Sequence, residues 1–183
     1  TGMEISTASH YDGATAFAEG VLMAINTTGR KKALVSRWVH PHYRQVLRTY
    51  TQFCTAIEIV EFDDLASLDK GLAGFACVAL GAPNFLGQLE SPEALRAIAD
   101  RVHAAGGMLI TTVNPISLGV LTPPSEFGAD IVVGEGQPLG VPLSFGGPYL
   151  GFFCTKREFM RRIPGRIVGE TVDKSGERGY VLT

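Results

Sequence analysis

The sequence has few cysteines, and none lies in a pattern that marks a metal site. The three cysteines among 183 residues, Cys54, Cys77 and Cys154, are far apart and odd in number. No Cys-x-x-Cys pair and no Cys/His cluster at metal-ligand spacing occurs. We therefore interpret the cysteines as buried, inert thiols in a reducing compartment and expect no metal site.

Long apolar runs and an excess of one charge are also absent. No apolar segment approaches the roughly 20 residues that a membrane-spanning helix needs. The 16 basic and 18 acidic residues give a net charge of −2. Such a balance provides no basic surface for a nucleic acid or an anionic membrane, so we expect neither as a partner.

The two ends of the chain are abrupt. It starts at Thr1-Gly2 without an initiator methionine and stops at Thr183 inside an apolar run. No internal repeat, charge block or Ser/Pro-rich linker divides it, and 45% of its residues are apolar. We therefore expect residues 1–183 to be a single-domain segment of a longer protein.

Helices and strands alternate along the sequence. Apolar residues recur at helical spacing from Ala14 to Ile25 behind a Ser9–Asp12 capping box, and Pro41 and Ser91-Pro92 mark two further helix starts. Strands are predicted at 32–36, 56–62, 75–81, 108–113, 129–133 and 150–154. Because most of these strands are continuously apolar, they indicate a mainly parallel sheet covered on both faces, a three-layer α/β fold.

In such a sheet, ligands bind beyond the carboxyl ends of the strands. The loops expected there include His10, which we expect to point into the crevice, and Asn84, which either orients a bound group or makes an Asx turn. The start of the first helix could hold a phosphate, although the Asp12 carboxylate would compete with an anion. No nucleophile elbow and no nucleotide-binding fingerprint occurs.

Glycine and proline are concentrated in one loop. Of the 18 residues from Gly134 to Gly151, six are Gly and three are Pro. Glycine lets the backbone adopt positive φ and approach its neighbours closely, whereas proline limits its freedom. A loop of this composition after a buried strand is a candidate for cofactor or partner contacts.

Several motifs resemble the glycine decarboxylase family, the P-proteins of the glycine cleavage system. These motifs are Thr1–Ser9 leading into Tyr11–Thr15, the long run Ala129–Phe153, Pro164–Gly169 and Arg178–Thr183. The similarity covers essentially all 183 residues and is to the first subunit of the split bacterial form, or the N-terminal half of the fused form. It implies the aspartate-aminotransferase-like fold of pyridoxal-phosphate-dependent transferases, with this segment as the core of the large domain.

The resemblance also implies a reaction and partners. Family members decarboxylate glycine on pyridoxal phosphate, which accepts the electrons left when CO2 departs. The aminomethyl group then passes to the lipoyl arm of the H-protein. The implied partners are therefore the catalytic second subunit, in a heterotetramer, and lipoylated H-protein. The implied location is the bacterial cytoplasm, or the mitochondrion for a fused eukaryotic form.

This sequence departs from the pattern of a catalytic half, which needs a Schiff-base lysine and an aspartate beneath the pyridine nitrogen. Counting back from Gly146-Gly147-Pro148 places Gln137 at the lysine position, and the aspartate position falls near Thr112. Neither side chain can do the required chemistry. We interpret Lys156 as a surface or interface residue rather than a displaced Schiff base. The chain is therefore expected to be inactive alone, with pyridoxal phosphate held by the partner subunit.

Loop position selects the residues expected to complete the partner's site or form the interface. They are His10, Tyr11, Asn84, Phe145, Gly146, Gly147 and Tyr149. Three alternatives remain open: a self-sufficient pyridoxal-phosphate enzyme such as an aminotransferase, a purely structural partner subunit, and a generic nucleotide-binding α/β domain. The neutral Gln137 argues against the first, and the missing fingerprints argue against the third.

Overall fold

The computed structural model describes all 183 residues, except for the side chains of Asp69 and Lys70. Twelve helices and strands, joined by loops and short 3-10 helices, follow one another along the chain. They are β1 (Ile5–Ser6), α1 (Gly13–Thr28), β2 (Lys32–Ser36), α2 (Pro41–Thr51), β3 (Glu58–Phe62), β4 (Phe75–Gly81), α3 (Pro92–Ala104), β5 (Met108–Thr112), β6 (Ile131–Glu135), β7 (Gly151–Thr155), β8 (Val168–Val172) and β9 (Arg178–Leu182).

Seven of the strands form one sheet in the order β1-β7-β6-β5-β4-β2-β3. Strands β2 to β6 are parallel, whereas β7 runs antiparallel to β6 and β1 antiparallel to β7. Strands β8 and β9 pair as a separate antiparallel hairpin. The chain order reverses between β2 and β4, and this switch point is where α/β sheets open a crevice for ligands.

Apolar residues on both faces of the sheet build two cores. Along β4, Cys77 and Ala79 pack on the side of α1 and α2, whereas Val78 and Leu80 pack on the side of α3. Continuous apolar strands are needed for this arrangement because neither face of the sheet meets water. The predicted three-layer α/β architecture with a mainly parallel sheet is confirmed.

The helix starts show where local sequence signals hold and where they do not. Ser91 caps α3 as predicted, accepting a hydrogen bond from the Ala94 amide at 3.1 Å. The predicted Ser9–Asp12 capping box is wrong, because residues 9–12 are held beside Gly151 by an antiparallel bridge at His10. Asp12 is instead the N-cap of α1, and its carboxylate accepts from the Thr15 amide at 2.7 Å.

A buried carboxylate stabilises the amino-terminal edge of the sheet. Asp130, 3% exposed, accepts from the Leu109 amide at 2.7 Å, lies 2.7 Å from His103 Nε2 and pairs with the Lys156 ammonium group. Because β7 is antiparallel to β6, Lys156 follows Thr155 to this edge, opposite the ligand crevice. The interpretation of Lys156 as a surface or interface residue therefore needs correction: it is half-buried and neutralises an internal charge.

Candidate functional site

A crevice opens at the switch point, beyond the carboxyl ends of β2, β4, β5 and β6. Its cavity has a volume of about 300 Å³. The residues that line it come from the loops after these four strands and from α2: Trp38, His40, Tyr43, Pro83, Asn84, Phe85, Thr112, Val113, Asn114, Glu135 and Pro138. None of these described lining residues is a lysine.

Asn84 lies on the wall of the crevice and organises its own loop. Its Oδ1 accepts from the amides of Leu86 at 2.9 Å and Gln88 at 3.0 Å, and its Nδ2 donates to Gln88 Oε1 at 2.9 Å. This geometry is the Asx turn considered from the sequence. A further role for Asn84 in orienting a bound group stays a prediction.

Thr112 and Gln137 are the residues that the family resemblance leads us to expect at the aspartate and lysine positions. Thr112 ends β5, is largely buried and lines the crevice. Gln137 begins the short helix Gln137–Leu139 directly after β6. Its side-chain Nε2 is buried without a hydrogen-bond partner among the described residues. The two positions thus carry a hydroxyl and an amide, neither of which can form an imine or pair with a pyridinium.

Glu135, at the end of β6, is the polar centre of this region. Its Oε2 accepts from the Gly13 amide at 3.0 Å, and its Oε1 accepts from the amides of Gln137 at 3.0 Å and Leu150 at 2.8 Å. One carboxylate therefore joins the end of β6, the start of α1 and the start of β7. Sequence reasoning missed it because its partner Gly13 is 122 residues away.

Tyr43 closes the space between α1 and the crevice. Burial, with smaller contributions from the Glu135 and Asp12 carboxylates, raises the pKa of its phenol far above the ordinary value, so the hydroxyl is neutral. A Cβ placed on Gly13 would overlap the Tyr43 hydroxyl and lie 2.8 Å from the Glu135 backbone nitrogen. The first turn of α1 is thus packed directly against Tyr43 and Glu135.

Pyridoxal phosphate, which the resemblance implies, does not fit this crevice as a cofactor of this chain. Gln137 cannot form its imine, and Thr112 cannot hold its ring nitrogen in the protonated state. A phosphate would be expected at the free amides of a helix N-terminus, but in α1 the Glu135 carboxylate already binds the Gly13 amide and the Asp12 carboxylate binds the Thr15 amide. Lys156 lies at the opposite edge of the sheet.

The glycine-rich loop projects its apolar side chains into solvent. Phe145 is fully exposed and has a φ of 60°, and the following Gly146 has a φ of 107°, which favours glycine. A Cβ on Gly147 would meet nothing within 4 Å. Tyr149 is half-exposed and lines a second cavity, of about 670 Å³, with residues of α1 and α2. This loop is a candidate contact surface rather than a closed binding pocket.

The structure corrects the expectation that His10 points into the crevice. The His10 backbone exchanges two hydrogen bonds of 3.1 Å with Gly151, and this pairing turns the imidazole onto the Phe153 ring, with ring centroids 5.4 Å apart. His10 therefore lines a separate cavity of about 420 Å³, together with Glu19, Tyr50 and the exposed Tyr11.

Burial of His10 predicts a pH dependence of stability. Desolvation lowers the pKa of the folded imidazole below its ordinary value, so the unfolded chain binds more protons as the pH falls through about 6.5. The contribution of the buried, neutral His10 imidazole to the free energy of unfolding is complete above that pH and is lost as the pH falls below it. We expect the wild type to lose more stability between pH 7.5 and 5.5 in urea unfolding than the His10→Phe variant. The control is His42→Phe, which replaces an exposed histidine. The prediction would be contradicted if the free energy of unfolding changed equally with pH in the wild type and in His10→Phe.

Neither a membrane-spanning helix nor a metal site is present among the described residues. No described helix is long and apolar enough to cross a membrane. No group of three or more His, Cys, Asp or Glu side chains in the described part of the chain is placed to hold a metal ion.

Comparison with known proteins finds relatives along the whole chain. The family model of the glycine cleavage system P-protein matches residues 1–183. A probable glycine dehydrogenase (decarboxylating) subunit 1 of Desulfitobacterium hafniense is 51% identical over 190 residues, covering 100% of this chain and 42% of that protein. Its counterpart in Moorella thermoacetica is 52% identical over 191 residues with the same coverage. The chain thus spans less than half the length of these relatives.

Solved structures agree with these relationships. A crystal structure of glycine decarboxylase (P-protein) of the glycine cleavage system, in inhibitor-bound form, matches with a TM-score of 0.90 and 47% identity, covering 100% of this chain and 41% of that one. A putative O-acetylhomoserine (thiol)-lyase from Campylobacter jejuni, solved with a pyridoxyl-lysine phosphate residue, shares the fold, with a TM-score of 0.60 at 17% identity over 86% of this chain and 37% of that one. The fold is thus that of pyridoxal-phosphate enzymes, and the chain belongs to the glycine cleavage system P-protein family.

Proposed function

We propose that this chain is the half of a glycine decarboxylase that forms no Schiff base. In this proposal residues 1–183 are the large-domain core of subunit 1 of a glycine dehydrogenase (decarboxylating). A second subunit holds pyridoxal phosphate, and the aminomethyl group passes to lipoylated H-protein. The two kinds of subunit assemble as a heterotetramer in the bacterial cytoplasm. The observation that carries the proposal is a crevice lined by Thr112 at the end of β5, with no lysine among its described lining residues. Gln137 follows two residues after the end of β6.

The chemistry of the reaction supports a role for a second chain. When bound, pyridoxal phosphate supplies the electron sink that decarboxylation of an amino acid needs, and a lysine amine must bind it covalently. No described residue that lines the crevice offers an amine, and Lys156 is paired with Asp130 at the opposite edge of the sheet. The same reasoning disfavours a self-sufficient aminotransferase.

The exposed face around the crevice supports contact with that second chain. Tyr11 and Phe145 are almost fully exposed, and Tyr149 is half-exposed beside the start of α1. Exposed aromatic side chains often act as anchors in protein interfaces. We assign Tyr11, Phe145 and Tyr149 to this interface, with Gly146 and Gly147 allowing close approach. Asn84 contributes from the crevice wall, and His10 supports segment 9–12 from its separate cavity.

The proposal predicts that activity needs both subunits. We expect the full-length chain alone to exchange labelled bicarbonate into the carboxyl group of glycine at less than about one thousandth of the rate of the reconstituted complex, since it lacks the covalent catalyst. Exchange at the full rate by this chain alone would contradict the proposal.

Two variants distinguish a chain that helps to complete the partner's active site from one that only supports the assembly. Phe145→Ala, in the complex, is expected to raise KM for glycine several-fold with the assembly intact, because Phe145 lies on the proposed interface. Phe53→Ala is the matched control, since Phe53 is also exposed but follows α2 at the opposite edge of the sheet. Weaker assembly with unchanged KM would instead indicate a purely structural partner.

A further inference from the structure

Three backbone amides converge on the Glu135 carboxylate. They belong to Gly13, the first residue of α1, to Gln137, and to Leu150, at distances of 3.0, 3.0 and 2.8 Å. Converging amides at a helix N-terminus form the kind of concavity in which proteins bind phosphate and other anions. Here the anion is a side chain of the protein itself.

The helix field favours an anion at this place. Helix α1 is 16 residues long, and its amino end carries the partial positive charge of the helix dipole. Asp12 adds a second carboxylate, bonded to the Thr15 amide at 2.7 Å. A phosphate dianion entering here would lack these amide donors and would meet two carboxylates of its own sign.

Close packing reinforces this exclusion. A side-chain carbon at Gly13 would collide with the Tyr43 hydroxyl and approach the Glu135 backbone nitrogen to 2.8 Å. Burial raises the pKa of the Tyr43 phenol and keeps the group neutral, so no charge on it attracts an incoming anion. The side of Gly13 that faces Tyr43 and Glu135 is therefore closely packed.

We infer that Glu135 is a built-in substitute for a phosphate. Its carboxylate occupies the anion position of α1 and thereby excludes the phosphate group of a cofactor from this chain's own crevice. This inference deepens the proposed function, on which it rests for the identity of the excluded group.

The same contacts give Glu135 a positioning role. Gln137 and Leu150 lie near the two ends of the glycine-rich loop, and both donate to the same carboxylate oxygen. Glu135 thus closes the loop at its base and fixes it to α1, which sets where Phe145 and Tyr149 stand. Removing the carboxylate would free three amides and loosen the loop.

Chemical rescue by inorganic phosphate tests the inference on the full-length chain. Thermal unfolding of Glu135→Ala is measured with 0 to 20 mM phosphate, with chloride holding the ionic strength constant. We expect a lower Tm in chloride and a rise of about 3 °C in phosphate, because the vacated amides bind it. Phosphate should raise the Tm of the wild type by less than about 1 °C. The same is expected of the control Glu58→Ala, which removes only an exposed ion pair with Lys32.

Further variants and readouts keep the test decisive. Glu135→Gln retains the volume and part of the hydrogen bonding, so it should show a smaller loss of Tm and little response to phosphate. If Glu135→Ala is unfolded in chloride, recovery of its circular dichroism in phosphate supports the inference. No recovery contradicts it, as does an equal phosphate response of Glu135→Ala and Glu58→Ala. Because no glycine chemistry is measured, failure here leaves the proposed partner-held cofactor standing.

Discussion

Replacing Asp130 with Asn is expected to lower the free energy of unfolding by about 3 kcal/mol, since breaking a buried ion pair leaves uncompensated donors. The Asp130 carboxylate accepts from the Leu109 amide and holds the Lys156 ammonium group and the His103 ring. An amide in its place presents an N–H group to one of these donors. We place the loss at the lower end of the usual range because Lys156, 32% exposed, can turn toward water.

Urea unfolding followed by circular dichroism measures this loss. The control is Glu58→Gln, because the Lys32–Glu58 pair is exposed on both sides and should contribute less than about 1 kcal/mol. Asp130→Asn should strongly lower the urea concentration at the midpoint of unfolding without changing the dependence of the free energy on urea concentration. The control should leave both quantities nearly unchanged. A loss below about 1 kcal/mol for Asp130→Asn would show that the network at this edge of the sheet is dispensable.

Replacing Gly151 with Ala is expected to cost about 3 kcal/mol or more, the upper part of the range for overpacking. The added carbon would overlap the Asp12 carbonyl oxygen and lie 2.5 Å from its carbon and 2.9 Å from His10 Cβ. Two of these atoms belong to the backbone at the start of α1, so no rotamer change relieves the collision. The variant should also weaken the His10–Gly151 bridge that holds segment 9–12.

Gly147→Ala, four residues earlier in the same loop, is the matched control. Its added carbon would meet nothing within 4 Å, and Gly147 does not have a positive φ. Thermal and urea unfolding should therefore place this variant within about 0.5 kcal/mol of the wild type. Similar losses in both variants would show that the loop needs glycine for its flexibility and not for a close contact at Gly151.

The sequence could predict those parts of the fold that depend on short stretches of chain. Ser91 and Pro92 mark the start of α3 because capping and proline geometry are local effects. Uninterrupted apolar runs such as 75–81 predict strands buried on both faces, and the sheet has them. The order of the strands and the antiparallel direction of β7 depend on packing, which periodicity does not encode.

The parts of the site that sequence reasoning missed depend on contacts between distant segments. Glu135 is one acidic residue between two glycines, and nothing nearby indicates that it bonds to Gly13. Lys156 looks like a surface residue until the direction of β7 brings it to Asp130. His10 lies in a loop near the crevice, but its pairing with Gly151 turns the ring away.

The position of Gln137 was the most informative prediction about function. Counting along the glycine-rich loop predicts that Gln137 lies where a catalytic half has lysine. In the structure it lies two residues after the end of β6, and its position relative to a catalytic lysine stays a prediction. The Nε2 atom of its side chain is buried, but an amide can form no imine. The fold is that of pyridoxal-phosphate enzymes, and an amide stands where the family resemblance leads us to expect the Schiff-base lysine.

Borohydride reduction of the assembled glycine decarboxylase tests the central claim most directly. The reductant converts a lysine–pyridoxal imine into a stable amine, so peptide mass spectrometry then identifies the chain and the lysine that carried the cofactor. We predict the pyridoxyl group on a lysine of the second subunit, with every lysine peptide of this chain at its unmodified mass. Stoichiometric pyridoxyl labelling of a lysine in this chain, Lys156 included, would contradict the account.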